Sequence, residues 1–214
     1  MTYAYPTWSP DPTKILTRRE LSIVLTDANR KARRSANARR NRVILRLACC
    51  CGLRVSEIAG LQVQDVIIVG PRPHIRVRGA IAKGQRRRMV PLWWDAGTLA
   101  DLAAWKAERL ATGARPTAPF VCSVLRPRYG KLLQRAAIRR RFLQVCKPLG
   151  AERVATLAIH HGRHTFISHA LAGGRTLAEV KAAAGHSSLV VTSGYVHIAV
   201  DEEACTGQLF QLAR

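Results

Sequence analysis

The sequence predicts a mainly helical α+β protein that carries one small antiparallel sheet. Apolar residues recur at helical spacing over most of the chain. Thr17 and Thr176 are each followed three residues later by a glutamate, which is the capping box that begins many helices. Between Val66 and Leu92 the apolar period changes to two, as is typical of strands. We therefore expect a helical bundle with a three-stranded antiparallel sheet.

The first two helices are predicted from their boundaries. The capping box at Thr17 begins a helix that runs to about Arg30. Residues 31–42 are very basic, and the sequence is compatible with a loop, a helix face or a DNA-contacting segment there. A second apolar helix follows and stops at Gly52, a residue type that often ends helices. Residues 1–16 are rich in proline and are expected to form a flexible N-terminal arm.

The sheet is predicted from three short segments, residues 66–69, 75–78 and 86–92. The central segment alternates apolar residues with arginines, which indicates a half-buried strand with a basic outer face. Lys83-Gly84-Gln85 is expected to form a hairpin turn with Lys83 at its tip. A long side chain at that position can reach into a DNA groove, although an ordinary solvated lysine is the alternative.

The rest of the chain is predicted to be helical. The expected helices are residues 95–111, 131–146, 160–172 and 176–185, and the last two end at Gly173-Gly174 and Gly185. A further segment runs from His186 to Tyr195. Residues 199–214 are expected to form a C-terminal tail, with Leu209, Phe210 and Leu212 as its apolar contacts.

The charge of the chain indicates a polyanionic partner. Lysine and arginine number 35 against 13 acidic residues, which gives a net charge of +22. The basic residues are spread along the whole chain, as expected of a surface that follows a DNA backbone. An RNA-coating protein of the ribosomal type is the alternative. We expect phosphate contacts from Arg76, Arg78, Arg86, Arg87, Arg88, Arg135, Arg139 and Arg140, although such arginines also occur on ordinary solvated faces.

The cysteines and the apolar runs bear on the compartment. The chain has six cysteines, none in a C-x-x-C pair and three of them consecutive, which fits neither a zinc site nor a disulfide framework. We expect buried thiols in a reducing cytoplasm. The N-terminus lacks the apolar core of a signal peptide, and no apolar run is long enough to span a bilayer.

Arg54 is the first candidate for a functional residue. It stands between Leu53 and Val55 in an apolar segment, where an unpaired charge is costly. A structural ion pair with Glu57 is one explanation. The other is that Arg54 reaches a phosphate and is steadied by Glu57. A second arginine, Arg163, lies in a histidine-rich cluster, and two arginines can stabilise the charge of a phosphoryl transition state.

The remaining candidates supply the other groups that phosphodiester transesterification needs. Tyr195 is the candidate nucleophile, and its phenol, with a pKa of about 10, requires a proton acceptor, for which we predict His160. Lys83 is the candidate general acid for the leaving 5′-oxygen. His186 is expected to donate a further hydrogen bond to the phosphate.

His160 and His164 have the i, i+4 spacing of metal-binding helices. His161 stands where the zinc-binding H-E-x-x-H motif has its glutamate, so a metal site is not expected. We expect His164 to pack or to bond locally.

Together these motifs resemble those of the tyrosine recombinases, or phage integrases. The matching segments are Gly52-Leu53-Arg54-Val55-Ser56-Glu57, Lys83-Gly84, His160-His161-Gly162-Arg163, Gly185-His186 and Tyr195, which comes nine residues after His186. They occur in the family's order, and the resemblance covers about Thr17 to His197. Any one of these motifs is weak evidence, but all of them in register are strong evidence.

The resemblance implies the integrase catalytic fold over residues 17–198. It implies a site-specific enzyme that cuts and rejoins double-stranded DNA through a 3′-phosphotyrosyl link to Tyr195, without a metal or other cofactor. It further implies a homo-tetramer on paired sites, in which residues 199–214 dock on a neighbouring protomer. An accessory DNA-binding protein is a further expected partner, and the expected location of the protein is the cytoplasm, at the nucleoid. A type IB topoisomerase and a non-catalytic DNA-binding protein with the same fold are the alternatives.

Two features depart from the family pattern. Too few residues precede the Arg54 segment to form the N-terminal domain that usually grips the opposite face of the duplex. A compact recombinase, a clamp supplied by another protein and a fragment of a longer chain all remain compatible with this. Gly162 stands where an apolar residue is common, and is expected to loosen the helix that carries Arg163.

Overall fold

The computed structural model describes residues 11–196. In chain order its helices are α1 (Arg18–Ala32), α2 (Ala36–Cys49), α3 (Val55–Gly60), α4 (Ala96–Ala111), α5 (Arg135–Cys146), α6 (Ala151–Thr156), α7 (Ile159–Ala172), α8 (Leu177–Ala184) and α9 (Leu189–Ser193). The strands β1 (Val66–Ile67), β2 (His74–Val77) and β3 (Arg88–Pro91) lie between α3 and α4. The predicted class, mainly helical with one small sheet, is confirmed.

Helix α2 is the centre of the bundle. It packs against α1, α4, α5 and α7, and all its residues from Val43 to Cys49 are buried. This buried stretch includes Arg46, whose guanidinium makes ion pairs with Asp95 at 3.2 Å and Asp101 at 2.8 Å. The C-terminal end of α2 leads directly into the Arg54 segment, so this central helix supports the first candidate residue.

The sheet is antiparallel in the order β1-β2-β3, as predicted. Ile75 faces both Val66 and Val90 across the strands, and these three side chains are fully buried. The third strand, Arg88–Pro91, is shorter than expected, and residues 79–81 and 83–85 before it form 3-10 turns. Lys83 therefore lies at the tip of a longer connection and not in a tight hairpin turn.

Ile15 and Leu16, which the sequence predicts to lie in a flexible N-terminal arm, belong to the core, and residues 1–10 of that predicted arm lie outside the described residues. The amide of Leu16 donates to Thr165 Oγ1 at 3.0 Å, and its carbonyl accepts from His169 Nε2 at 2.7 Å. Both partners are in α7, so residues 15–16 are fixed against the helix that carries Arg163. The expected tail, residues 199–214, lies outside the described residues.

The helix predicted over residues 131–146 begins later, at Arg135. Leu132 forms an isolated β-bridge with Cys122, and the carbonyl of Lys131 accepts a hydrogen bond from the amide of Ser123. These contacts hold residues 131–132 in an extended conformation, whose backbone angles differ from those of a helix. The helix therefore cannot begin before them. The capping boxes at Thr17 and Thr176 are present, so the helices that begin there start where predicted.

Candidate active site

Arg54 occupies the N-cap of α3 and is paired with Glu57 in the first turn. The Glu57 carboxylate accepts from the Arg54 amide at 2.8 Å and makes an ion pair with its guanidinium at 3.3 Å. Glu57 is fully buried, whereas the Arg54 side chain is 29% exposed. The two explanations for Arg54 are therefore compatible, because an arginine held at its base by Glu57 still has donors free to face solvent.

Arg88 is the stronger partner of Glu57, and its place differs from the expected DNA contact. Its two terminal nitrogens lie 2.7 and 2.8 Å from the Glu57 carboxylate, and its side chain is only 7% exposed. Its Nε also donates to the carbonyl of Ala183 at 2.8 Å. A buried carboxylate needs a counter-charge, which Arg88 supplies. Burial alone raises the pKa of Glu57, but Arg88, with help from Arg54, outweighs it and leaves the pKa below its ordinary value.

Arg163 projects from the first turns of α7 and is held by backbone carbonyls. It donates to Gly52 at 2.9 Å and to Ala184 at 2.5 Å. Burial, followed by the charges of Arg54 and Arg88, lowers its pKa to about 9. Arg163 is thus joined to the end of the α2 segment and to the end of α8, which makes it the central group of the site.

Two glycines allow these segments to approach each other closely. Gly52 has a φ of +62°, and a Cβ atom there would lie 2.4 Å from the Phe166 ring. A Cβ at Gly162 would lie 2.9 Å from the backbone and side chain of Ala48. Gly162 therefore brings α7 against α2, and the expected loosening is not what the packing shows: α7 is continuous from Ile159 to Ala172.

Tyr195 is buried, and its hydroxyl lies beside His164, whereas the sequence led us to predict His160 as its proton acceptor. The Nδ1 atom of His164 lies 2.6 Å from the Tyr195 hydroxyl, whereas His160 is exposed, with its ring centre 6.0 Å from that of His164. Burial raises the pKa of Tyr195 to about 12, an effect that the charge of Arg163 partly offsets. Burial, followed by His160 and Arg163, lowers the pKa of His164 to about 4. The imidazole is therefore neutral at pH 7, and its Nδ1 can accept a hydrogen bond from the phenol.

His186 lies between α8 and α9. Its Nδ1 atom is 2.9 Å from the buried hydroxyl of Thr192, and its ring centre is 6.5 Å from that of Tyr195. Gly185 before it adopts the left-handed conformation that ends α8, with a φ of +71°. Burial, followed by the charges of Arg163, Arg54 and Arg88, lowers the pKa of His186 to about 4.

Lys83 and Arg78 both lie in the connection between β2 and β3, of which Arg78 is the first residue. Arg78 Nε lies 2.8 and 3.0 Å from the two oxygens of the buried Asp65, so its expected DNA contact competes with an internal ion pair. Lys83 is exposed at the tip of the connection. The other arginines for which we expect phosphate contacts are exposed, namely Arg76, Arg86, Arg87, Arg135, Arg139 and Arg140, and their contacts stay predictions.

Two residues of the site were not assigned their observed places from the sequence, Arg88 and His164. A signal for Arg88 was present, because residues two apart in a strand share a face and Val90 is an apolar core residue. His164 follows Arg163 directly and lies one turn after His160, which suggests a place on the same side of α7. Its contact with Tyr195 spans 31 residues, and no local pattern predicts that.

The described helices of residues 11–196 include none that is long and apolar enough to cross a lipid bilayer.

Comparison with known proteins identifies the family. The phage integrase family matches residues 14–202. Tyrosine recombinase XerC of Myxococcus xanthus is 33% identical over 162 residues, which are 74% of this chain and 50% of the relative. XerC of Rhizobium meliloti is 33% identical over 189 residues, 86% of this chain and 54% of the relative. The chain thus spans about half the length of these curated relatives.

Solved structures agree with the sequence match. The crystal structure of XerA recombinase superposes with a TM-score of 0.68 at 20% identity, and covers 95% of this chain and 64% of its own. XerH site-specific recombinase, in a pre-cleavage complex with its difH substrate, gives a TM-score of 0.65 at 25% identity over 88% of this chain and 51% of its own. These structures share the fold, and the family match over residues 14–202 shows that the chain belongs to the phage integrase family.

Proposed function

We propose that this chain is the catalytic part of a site-specific tyrosine recombinase that cuts and rejoins double-stranded DNA through a 3′-phosphotyrosyl intermediate. The observation that carries the proposal is the convergence of Arg54, Arg163 and His186 on the side of the molecule where Tyr195 is held. The charge of Arg54 acts to lower the pKa values of Arg163 and His186, and the charge of Arg163 acts to lower those of His186 and Tyr195, so the four groups form one cluster.

The two arginines bind the phosphate at which the DNA is cut. The pentacoordinate transition state carries extra negative charge on its non-bridging oxygens, and guanidinium groups fixed in advance stabilise that charge without reorganisation. Arg163 is fixed by two backbone carbonyls and Arg54 by Glu57. When the Thr192 hydroxyl donates to Nδ1, the neutral His186 carries its proton on Nε2. That N–H then donates a hydrogen bond to the phosphate.

The bond changes follow from these positions. The Tyr195 oxygen attacks phosphorus and its proton passes to His164 Nδ1, while the bond from phosphorus to the 5′-oxygen breaks and that oxygen takes a proton from Lys83. The negative phosphate of bound DNA opposes the effects that lower the pKa of His164, so substrate binding favours this proton transfer. The reverse steps rejoin the strand, because the energy of the phosphodiester bond is kept in the protein–DNA link.

We also propose the binding partners of this chain and its location in the cell. The net charge of +22 and the exposed arginines of the sheet and of α5 support binding to duplex DNA. We propose a catalytic domain over residues 17–198, a homo-tetramer on paired sites, and docking of residues 199–214 on a neighbouring protomer. An accessory DNA-binding protein is a further proposed partner, and the proposed location is the cytoplasm, at the nucleoid.

A covalent trapping assay tests the function. The protein is mixed in EDTA with a pool of duplexes that carry a nick, which keeps a cleaved strand from being resealed, and the products are denatured and separated on a gel. We expect a protein–DNA adduct that Tyr195→Phe abolishes while DNA affinity is retained. Adducts that persist in Tyr195→Phe, or that require a divalent metal, would contradict the proposal. Relaxation of any supercoiled plasmid without paired sites would indicate a topoisomerase instead.

A further inference from the structure

The connection between β2 and β3, which carries Lys83, is tied at both of its ends to helix α3. At the first end, Arg78 Nη2 donates to the carbonyl of Gly60 at 2.8 Å, the last residue of α3. At the other end, Arg88 forms its two-pronged ion pair with Glu57, in the first turn of α3. The residue at the N-cap of this six-residue helix is Arg54. The short helix α3 thus carries Arg54 at its N-terminus and anchors the connection that carries Lys83.

These ties are geometrically restrictive. Arg88 and Arg78 each use a planar guanidinium against a fully buried carboxylate, an arrangement that fixes orientation as well as distance. The connection also lies directly on α3, because a Cβ at Gly60 would be 2.5 Å from the Ile81 side chain. Rotation of the connection relative to α3 would break the Arg88–Glu57 ion pair and the hydrogen bond from Arg78 to the Gly60 carbonyl.

Lys83 depends on these ties for its position. Residues 83–87 are all exposed, so the tip of the connection is not held by burial. Arg88 adds a third tie through its hydrogen bond to Ala183, and the next carbonyl, that of Ala184, accepts from Arg163. The segments that carry Lys83, Arg54 and Arg163 are therefore linked to one another. Arg88 makes this link, because it contacts both α3 and the end of α8.

We infer that Arg78 and Arg88 are positioning residues that set Lys83 at the leaving 5′-oxygen. They do so by fastening the connection to α3 and α8, and they do not contact DNA themselves. The inference rests on the proposed function and deepens it. Two arginines that a basic strand pattern assigns to DNA binding instead determine how well the general acid is placed.

The test uses two versions of one duplex, recovered from the trapping assay, with oxygen or sulfur at the 5′-bridging position of the cut. A thiolate leaves without a proton, so the sulfur substrate does not need the general acid. The rate of adduct formation is measured at saturating DNA for the wild type, Lys83→Ala, Arg88→Lys and Arg78→Lys. Lys83→Ala defines the full effect of losing the acid.

We expect Arg88→Lys and Arg78→Lys to slow cleavage of the oxygen substrate by about 10- to 100-fold, the range in which small displacements of a reacting group fall. On the sulfur substrate both variants should approach the wild-type rate, as Lys83→Ala does. Arg87→Ala is the matched control, because it removes an exposed arginine from the same connection. It should weaken DNA binding and leave the oxygen-to-sulfur rate ratio at the wild-type value.

Equal losses on both substrates, in variants that melt like the wild type, would overturn the inference, as would weaker DNA binding with an unchanged rate ratio. Arg78→Lys keeps the test available if Arg88→Lys does not fold, since it loosens the other end of the connection. The two proposals fail differently. A wild-type chain that forms no adduct in the trapping assay would overturn the function and the inference with it, whereas wild-type adducts with an unchanged ratio in both variants would overturn the inference alone.

Discussion

The Nδ1 atom of His164 lies 2.6 Å from the hydroxyl oxygen of Tyr195, and the two rings stack with their centres 5.7 Å apart. The contact places a neutral imidazole against the one tyrosine that the motif pattern identifies as the nucleophile. It also holds the phenol inside its own chain, in a buried cluster with apolar residues of α7 and α8. We therefore assign the proton-accepting role to His164 in our proposal, in place of His160.

Substitution of His164 tests this assignment. His164→Gln should lower the single-turnover rate of adduct formation by about 10²-fold or more, the usual contribution of a general base. His160→Gln is the control, since it alters an exposed ring four residues away on the same helix. It should have a smaller effect. A large loss in His160→Gln with little change in His164→Gln would restore the role that the sequence suggested.

The histidines also make the stability of the fold depend on pH. The pKa values of His161, His164 and His186 are lowered to about 4 in the folded chain from an ordinary 6.5. Between these two values the unfolded chain binds more protons than the folded chain, so the free energy of unfolding decreases as the pH falls. This stability is fully present above pH 6.5 and is lost progressively toward pH 4.

Thermal melting at pH 7.5, 6.5 and 5.5 measures this effect above the range in which carboxylates titrate. The melting temperature should fall with pH, and it should fall less steeply in a His164→Gln, His186→Asn double variant. A wild-type melting temperature that is constant over this range would show that the three histidines are not held in the neutral form.

Replacement of Gly52 is predicted to destabilise the fold, because a side chain there would collide with its neighbours. Gly52→Ala should destabilise the fold by about 2–4 kcal/mol, because alanine resists the left-handed conformation and its Cβ would overlap the Phe166 ring. Gly113→Ala is the matched control: its φ is +79°, but open space surrounds the added Cβ. It should cost about 1–2 kcal/mol. Denaturant unfolding measures both, and equal costs would mean that the approach of Phe166 to Gly52 is unimportant.

The exposed arginines of α5 are predicted to contribute to DNA affinity through phosphates. Removing Arg139 and Arg140 together should weaken binding at low salt and reduce the slope of log K against log salt by about 0.9 for each phosphate that is no longer neutralised. Arg115→Ala removes the same kind of charge from the loop after α4 and serves as the control. Its slope should stay near that of the wild type. An unchanged slope in the Arg139, Arg140 double variant would place both residues on an ordinary solvated face.

The secondary structure could be predicted from the sequence because its causes are local. Thr17 and Glu20 cap the same turn of α1, and Gly185 ends α8 within one turn of the residues it caps. The failures arise from contacts with other segments of the chain. The helix predicted from residue 131 begins at Arg135 because Leu132 pairs with Cys122, a residue of a different segment that the periodicity of residues 131–146 does not include.

The sequence by itself determined the fold class, the strand pattern and the residue types of the candidate site, since each of these depends on spacing along the chain. The tertiary structure alone decided which groups meet. Arg163 reaches the carbonyl of Gly52 across 111 residues, and Arg88 reaches Glu57 across 31. Whether an arginine faces DNA or a buried carboxylate depends on the desolvation of that carboxylate, which only the packed fold brings about.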